Sequence, residues 1–496
     1  VTALQDGGPV EVTTTAPVII GSGVQSGSTF GIAVTARQAG SVYRATLRTR
    51  GTYSLPKPAG RAWLAGDAVF WDNTNKRATN VAAPGFRRIG TAATAAVATA
   101  VTGSVALCGP APRAVYDPRA LIVASNRQIM PMNGLSSGSS QFTSYRSAHW
   151  TLKDARVGAL RLVFANSQLT ITGEIDGQDD YTVKASLEYN GTTVPVYFGG
   201  QRTGTVKIGT HIVSDPVGIS IPADTQFWVR TFAGVDTLGK KWPVGPTANT
   251  AIGEGYIGTT DHTDNVAFTG FLSASLFQPA AILATATAAV PSFVMIGSSS
   301  AYGQGDTGNG VAPYYDYGYL SRFLSNRYGY VKLTRASDAL SFFLADHKRR
   351  LALLGTVRPT HIIQQLGSND LTSAATFATM QSRLQSAWDI LASTGAKVIQ
   401  ATMTPVTSST DAWATVAGQT PHSSNAVRVQ INDWIRSMPA PLSGVLEAAD
   451  AVETARNSGY WKVDGTANKW TVDGTHVSPH GHAQTAALLR DEDLAI

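Results

Sequence analysis

Three short stretches in the last two hundred residues carry side chains whose types and spacing suit covalent chemistry. Gly297-Ser298-Ser299-Ser300 follows the apolar run Ser292-Phe-Val-Met-Ile. Gly367-Ser368-Asn369-Asp370 follows the run His361-Ile-Ile-Gln-Gln-Leu. Asp473-Gly474-Thr475-His476 stands just before a final helical stretch. A serine hydroxyl is a weak nucleophile until a base takes its proton, and an acceptor must hold that base in one tautomer. His476 offers the base and Asp473 the acceptor, because a three-residue spacing lets one turn present both. Asn369 can donate its side-chain N–H to a developing oxyanion, as can main-chain N–H groups near Ser299. Removing one such donor typically costs about 3–4 kcal/mol of transition-state stabilisation. Each stretch also has a plain reading, as a polar loop, an ordinary turn or a helix cap, and His480 and His482 compete with His476 for the role of base. The order and strand context of all three favour the chemical reading.

These residues need a scaffold. From Pro291 onward, strand and helix signals alternate: strands at Ser292–Gly297, Tyr330–Thr334, His361–Gly367, Lys397–Thr402 and Gly444–Ala449, and helices over Tyr317–Tyr328, Leu340–Leu354, Ala375–Ser393 and Ala426–Met438. Such alternation predicts a parallel sheet with helices on both faces. Sites in open α/β sheets form beyond the carboxyl ends of the strands, where the first two chemical stretches fall; the third lies in a late loop.

The rest of the chain reads as β structure. Residues 1–110 hold β-branched runs such as Pro9-Val-Glu-Val-Thr-Thr-Thr, recurrent glycines and the turn signal Asp72-Asn73-Thr74-Asn75, with no amphipathic helix. The Ala/Thr-rich stretch Thr91–Thr102 reads as loop plus strand. Residues 111–285 carry strand signals at Arg161–Ala165, Tyr181–Tyr189, Thr205–Ile208 and Thr225–Phe232, with Asn190-Gly191 as a hairpin turn. This predicts a β-sandwich, jelly-roll-like. Pro279–Pro291 reads as the linker into a third domain, 286–496. Trp150, Trp228 and Trp242 are candidates for stacking on sugars, though core packing is the commoner state for tryptophan.

Composition narrows the function classes. A chain of 496 residues holds more than one domain. Charged residues make up 15%, against about 25% in ordinary globular proteins. The net charge of +6 is mild, and beyond Arg87-Arg88, Lys240-Lys241 and Lys348-Arg349-Arg350 the basic residues are scattered. That argues against nucleic-acid binding. The single cysteine, Cys108, excludes an intrachain disulfide and a thiolate metal cluster, and its flank suggests a core residue. No cofactor or metal is expected. No stretch reads as a membrane span, since the run Ala280–Val290 is short and alanine-rich. No signal peptide is read at the N-terminus, although a removed leader stays open.

Residues from about 291 to the end resemble the SGNH, or GDSL, hydrolases. The first block of that family reads Gly-Asp-Ser; here it reads Gly297-Ser298-Ser299, which makes Ser299 the nucleophile. The Gly-x-Asn-Asp block is matched by Gly367, Asn369 and Asp370, with Asn369 as oxyanion donor. The Asp-x-x-His block is matched by Asp473 and His476, with Pro479 and Gly481 in its flank. The resemblance implies a three-layer α/β/α fold and a serine esterase, lipase or carbohydrate deacetylase. Two positions depart from it. Ser298 replaces a supporting aspartate. The loop expected to supply an oxyanion glycine reads Thr334-Arg-Ala-Ser-Asp338, leaving the main-chain N–H of Ser337 for the role.

Residues 8–110 resemble a phage capsid-decoration or head-fibre domain of the DUF2190 type. The matched features are Val12–Pro17, Gly21–Val34, Tyr53-Ser-Leu-Pro-Lys57, Ala65-Gly66-Asp67 and Phe70-Trp-Asp72. This resemblance implies attachment to a virion through the major capsid protein, and a homo-oligomer, a trimer in such domains; Trp71 would then lie in the core or at the trimer seam. Together the two imply a capsid-surface esterase acting on an acylated host surface glycan. The alternatives are an adhesive decoration protein with a degenerate, inactive hydrolase fold, and a free secreted esterase.

Overall fold

The computed structural model describes residues 10–26, 29–48, 51–65, 67–80, 87–107, 121–132, 134–152, 157–264, 267–286, 290–307, 314–325 and 327–496. Cys108 and Gly66 lie outside them. The chain divides into two compact units, 1–117 and 118–496.

The first unit is built of strands. Val10–Thr14, Val42–Arg48, Thr29–Ala39 and Gly23–Ser26 form one antiparallel sheet in that order. Gly51–Pro56, Thr102–Leu107, Arg87–Ala92, Ala68–Asp72 and Arg77–Thr79 form another. The Asp72 carboxylate accepts the N–H groups of Thr74 and Asn75 at 3.1 and 3.0 Å, which builds the expected turn. Trp71 is core: it is buried against Phe30, ring centroids 4.9 Å apart. The stretch after Ala92 is loop and then strand, as its valines and threonines suggested.

The second unit begins with two antiparallel sheets packed face to face. One contains Ile122–Val123, Ala281–Ala286, Val157–Ala165 and His211–Val213; the other is centred on Tyr181–Tyr189, Gln226–Gly234 and Phe142–Trp150. Alternate residues such as Leu162, Phe164, Val183, Ala185, Phe227 and Val229 share one buried core. Asn190 and Gly191 both adopt positive φ, 51° and 71°, as a tight two-residue hairpin requires.

The linker expected at Pro279–Pro291 contains a buried strand instead, Ala281–Ala286. Its residues Ala281 and Leu283 enter the core shared with the following α/β part, while Ile282 and Ala284 enter the sandwich core. A strand buried on both faces shows no polar alternation, so its alanine-rich run carried no strand signal. Two of the three tryptophans offered as candidates for sugar stacking sit in cores. Trp242 and Trp150 are buried, and Trp228 lies beneath the Arg146 guanidinium, 4.3 Å from ring centroid to charge, with its N–H donated to the Ile252 carbonyl.

The α/β part has a six-stranded parallel sheet in the order Gln128–Ile129, Gly329–Thr334, Ser292–Gly297, His361–Gln365, Lys397–Ala401 and Leu442–Leu446. Its edge strand, Gln128–Ile129, comes from far upstream in the sequence. Val294, Ile296, Val331 and Leu333 face Leu384, Trp388 and Ile431 on one side; Phe293, Met295 and Tyr330 face Leu320 and Phe323 on the other. The molecule is thus multidomain: an all-β N-terminal region, a middle β-sheet domain and a C-terminal α/β/α domain with a parallel sheet.

Two helices differ from expectation. The helix predicted over Leu340–Leu354 is two, Leu340–Ala345 and Lys348–Val357. It breaks where Asp346 turns extended and its carboxylate accepts the Lys348 N–H at 3.3 Å. The helix predicted over Tyr317–Tyr328 is confined to Tyr319–Leu324, because Gly318 sits at φ 91° with its N–H donated to Asp306. Among the described residues no helix is long and apolar enough to cross a membrane.

Candidate active site

The strand Ser292–Gly297 ends abruptly and a one-turn helix starts at Ser299. Gly297 permits this turn: a Cβ there would stand 2.4 Å from the Ala301 Cβ. Ser298 is extended and buried, and its hydroxyl donates to Gln365 Oε1 at 3.3 Å. The same Gln365 oxygen accepts the Ala301 N–H at 3.2 Å. A neutral serine–glutamine pair therefore ties the Ser299 turn to the neighbouring strand where the resemblance led one to expect aspartate. Nothing in the sequence marked Gln365 for this; its pairing opposite Gly297 in the sheet does.

Ser299 Oγ lies 2.9 Å from His476 Nε2, and His476 Nδ1 lies 2.7 Å from Asp473 Oδ2. The other carboxylate oxygen, Asp473 Oδ1, accepts the N–H groups of His476 and Thr475 at 2.8 and 2.9 Å. Burial pushes the Asp473 carboxyl up, but the donors from the His476 ring and from these two N–H groups outweigh it, and its pKa is lowered below the ordinary 3.8. Asp473 is therefore an anion at neutral pH. An anion at Nδ1 keeps the proton there and leaves Nε2 as an acceptor facing the serine.

The turn bearing His476 is held rigidly. Thr471 Oγ1 donates to the His476 carbonyl and accepts the Gly474 N–H, both at 2.8 Å. The Trp461 indole N–H and the Thr407 N–H both donate to the Gly474 carbonyl, at 3.1 and 2.9 Å. Pro479 then opens the last helix, with Ser478 capping it through the Gly481 N–H. The rival histidines are accounted for. His482 is buried, accepts the Tyr319 N–H at Nδ1 and donates to the Gln304 carbonyl from Nε2, and burial holds its pKa down at about 4. His480 packs edge-on against Trp470.

The loops expected to hold the oxyanion leave neighbouring strands at the same end of the sheet. Gly297 pairs with Thr334 on one side and with Gln365 on the other, so the stretches after all three emerge side by side. Asn369 donates one amide N–H to the Asp338 carbonyl at 2.9 Å. The Asp370 carboxylate accepts the N–H groups of Leu340 and Ser341 at 2.8 and 3.1 Å, tying the two loops together again. Ser337 and Asn369 line one recess of about 680 Å³. Among the described residues no hydrogen bond joins either of them to Ser299; strand register alone brings them near. An amide nitrogen carries two hydrogens, and the bond to the Asp338 carbonyl uses one of the two on Asn369.

Gly367 adopts φ 131°, and a Cβ there would lie 2.3 Å from the Met403 methyl. This glycine is required by its backbone and its neighbour at once. Ser337 adopts φ 66°, a left-handed conformation natural to glycine. Ser337, the residue expected to stand in for the absent glycine, is thus a serine held in a glycine-like conformation. Replacing Ser337 with glycine should relieve that strain and raise stability by about 0.5–1 kcal/mol. A urea midpoint that stays put or falls would show that the loop carries no such strain.

Residues 4–107 match the Phage cement protein family, and residues 295–484 match the GDSL-like Lipase/Acylhydrolase family. No curated protein matches the chain. Among solved structures it is similar to a GDSL-like lipase from Bacteroides thetaiotaomicron, at 14% identity over 40% of this chain and 86% of that one, TM-score 0.28. It is similar to a member of the lipolytic protein G-D-S-L family from Veillonella parvula, at 14% identity over 39% and 93%, TM-score 0.29. It is also similar to the lipase Lip_vut3 from a goat rumen metagenome, at 13% identity over 41% and 97%, TM-score 0.30. The chain therefore joins a phage-cement-like N-terminal domain to a GDSL/SGNH-type hydrolase domain, and it is a serine-type hydrolase associated with a phage.

Proposed function

We propose that this chain is a capsid-surface esterase that removes acyl groups from a host surface polysaccharide. The observation that carries the reading is the continuous chain from Ser299 through His476 to Asp473 at 2.9 and 2.7 Å. Ser299 Oγ attacks the ester carbonyl while His476 Nε2 takes its proton. The oxyanion is held by the Asn369 amide, set in place by the Gly367 turn, and by main-chain N–H groups including that of Ser337. As the carbon–oxygen bond breaks, His476 returns the proton to the departing alcohol. Water then gives a proton to His476 and attacks the acyl-enzyme, releasing the acid and restoring Ser299.

The phage-cement match supports a mount on the major capsid protein. The homo-oligomer this reading implies is a trimer, which sedimentation of the purified chain would reveal. Display on a particle favours an envelope or capsule ester as substrate over a soluble metabolite.

A fluorophosphonate probe tests the reading. Intact-mass analysis should show one adduct, and peptide mapping should place it on Ser299. The unlabelled chain should release acetate from an acetylated polysaccharide and should co-sediment with capsids lacking it. A folded chain that takes up no probe and releases no acid would leave an adhesive decoration protein as the better description. Activity without capsid binding would leave a free esterase.

A further inference from the structure

The hairpin formed by Ser167–Thr170 and Gly173–Asp176 belongs by sequence to the middle β domain, yet it reaches into the hydrolase part. Leu169 is buried in the core that also holds Val294 and Ile296 of the sheet. Glu174 carries the only charge the hairpin buries completely: its side chain is 0% exposed. Its carboxylate accepts the N–H groups of Arg349 and Arg350 at 2.6 and 3.2 Å, at the start of the helix Lys348–Val357. It also pairs with Arg350 Nε at 2.8 Å, and Arg350 Nη1 pairs with Asp338 Oδ2 at 2.6 Å. Asp338 directly follows Ser337, and its carbonyl takes the Asn369 amide. One ionic chain therefore runs from the hairpin to both groups assigned to the oxyanion. At the hairpin's tip, Ile171 is 56% exposed and lines the recess shared by Ser337, Asn369, Phe342, Thr372 and Thr379.

We propose that this hairpin is a working part of the active site: Glu174 is a positioning residue for the oxyanion loop, and Ile171 is a specificity residue walling the recess that takes the sugar side of the ester. The inference rests on the esterase reading above. Arg350 and Asp338 are fully buried, so their charges keep their places only while Glu174 completes the triad. A shift of the Asp338 main chain moves the Ser337 and Asn369 donors together, and donors act only when aimed at the oxyanion. The recess is rich in hydroxyl groups with Ile171 and Phe342 as apolar patches, and about 680 Å³ is space for more than an acetyl group. That chemistry fits a saccharide, which offers hydroxyls at its rim and C–H groups on its ring faces.

The test compares full-length variants on a small aryl acetate and on an acetylated oligosaccharide. Glu174→Gln should lower kcat on both about 10- to 100-fold with little change in KM, the signature of a misplaced catalytic group. Ile171→Ser should lower the ratio of kcat/KM for the oligosaccharide over the aryl acetate about 10-fold. Wild-type kcat in a folded Glu174→Gln chain would overturn the positioning role, and an unchanged ratio in Ile171→Ser would overturn the specificity role. Should Glu174→Gln fail to fold, Glu174→Asp, which keeps the charge but withdraws the carboxylate from Arg350, tests the positioning role by the same kcat: a folded Glu174→Asp chain with wild-type kcat would overturn it. A wild-type chain inactive on both substrates would instead count against the esterase reading itself.

Discussion

Replacing Ser299 with alanine is expected to lower turnover of a small aryl acetate by about 10⁵- to 10⁶-fold, the loss seen when a triad nucleophile is removed. The residual rate belongs to the oxyanion donors and to substrate binding, which the substitution leaves in place. The fold should survive. The Ser299 hydroxyl spends its hydrogen bond on His476, and the turn around it is held by Gly297, Ser298 and Gln365. Loss of that one bond costs about 1 kcal/mol. Thermal unfolding and circular dichroism should therefore stay close to wild type while activity vanishes. Activity retained in Ser299→Ala would remove Ser299 from the nucleophile's role, and Ser300, also buried one residue on, would be the next to test.

Asp473→Asn is expected to lower kcat by about 10³- to 10⁴-fold, through the tautomer of His476 rather than through charge alone. Asp473 uses its two oxygens differently. Oδ1 accepts two main-chain N–H groups, from Thr475 and His476, while Oδ2 faces the ring Nδ1. An asparagine in this site keeps its carbonyl on the two main-chain donors, since its amide hydrogens would collide with them. Its NH₂ group is then turned toward Nδ1. The imidazole answers by accepting there and carrying its proton on Nε2, where it can no longer take the proton of Ser299. Stopped-flow measurement of acyl-enzyme formation should show this step slowed, with KM little changed.

The pH dependence of stability follows the same residue. The Asp473 pKa is lowered, so its anionic contribution to folding is present above the ordinary value of 3.8 and is lost as the pH falls through the lowered value. In Asp473→Asn that acid-side loss disappears. Denaturant midpoints measured against pH for the two chains should converge as acid protonates the wild-type carboxyl. Parallel curves down to the lowest pH would show that the Asp473–His476 contact contributes nothing to folding.

Much of the candidate site was legible because its parts are local. Ser299, Asn369 and His476 each follow a recognisable strand or precede a helix, and short-range patterns suffice to find them. The parallel sheet was equally legible, since buried strands alternating with amphipathic helices leave a periodic trace. The β character of the N-terminal domain showed in its turns: Asp72 builds its own turn with Thr74 and Asn75.

What the sequence offered by itself, then, was the candidate chemistry: a serine, a histidine and a carboxylate in order, on an α/β scaffold, behind a β-rich N-terminal region. What only the tertiary structure decided was how that chemistry is held. The strand Ala281–Ala286 was invisible as a strand because two cores claim its two faces. The basic run Lys348-Arg349-Arg350 stood out in the sequence only as clustered charge, and the fold supplies its partners: Arg349 pairs with Asp176, and Arg350 with Glu174 and Asp338. His482 lost its candidacy to burial, and Ser337 took a left-handed conformation natural to glycine while keeping its own side chain. Most of these outcomes depend on partners more than a hundred residues away or on a backbone angle, and neither is written in local residue order. Ser299 is marked by its neighbours in sequence; the Asp338 loop is tied through Arg350 to Glu174 on a hairpin of the middle β domain.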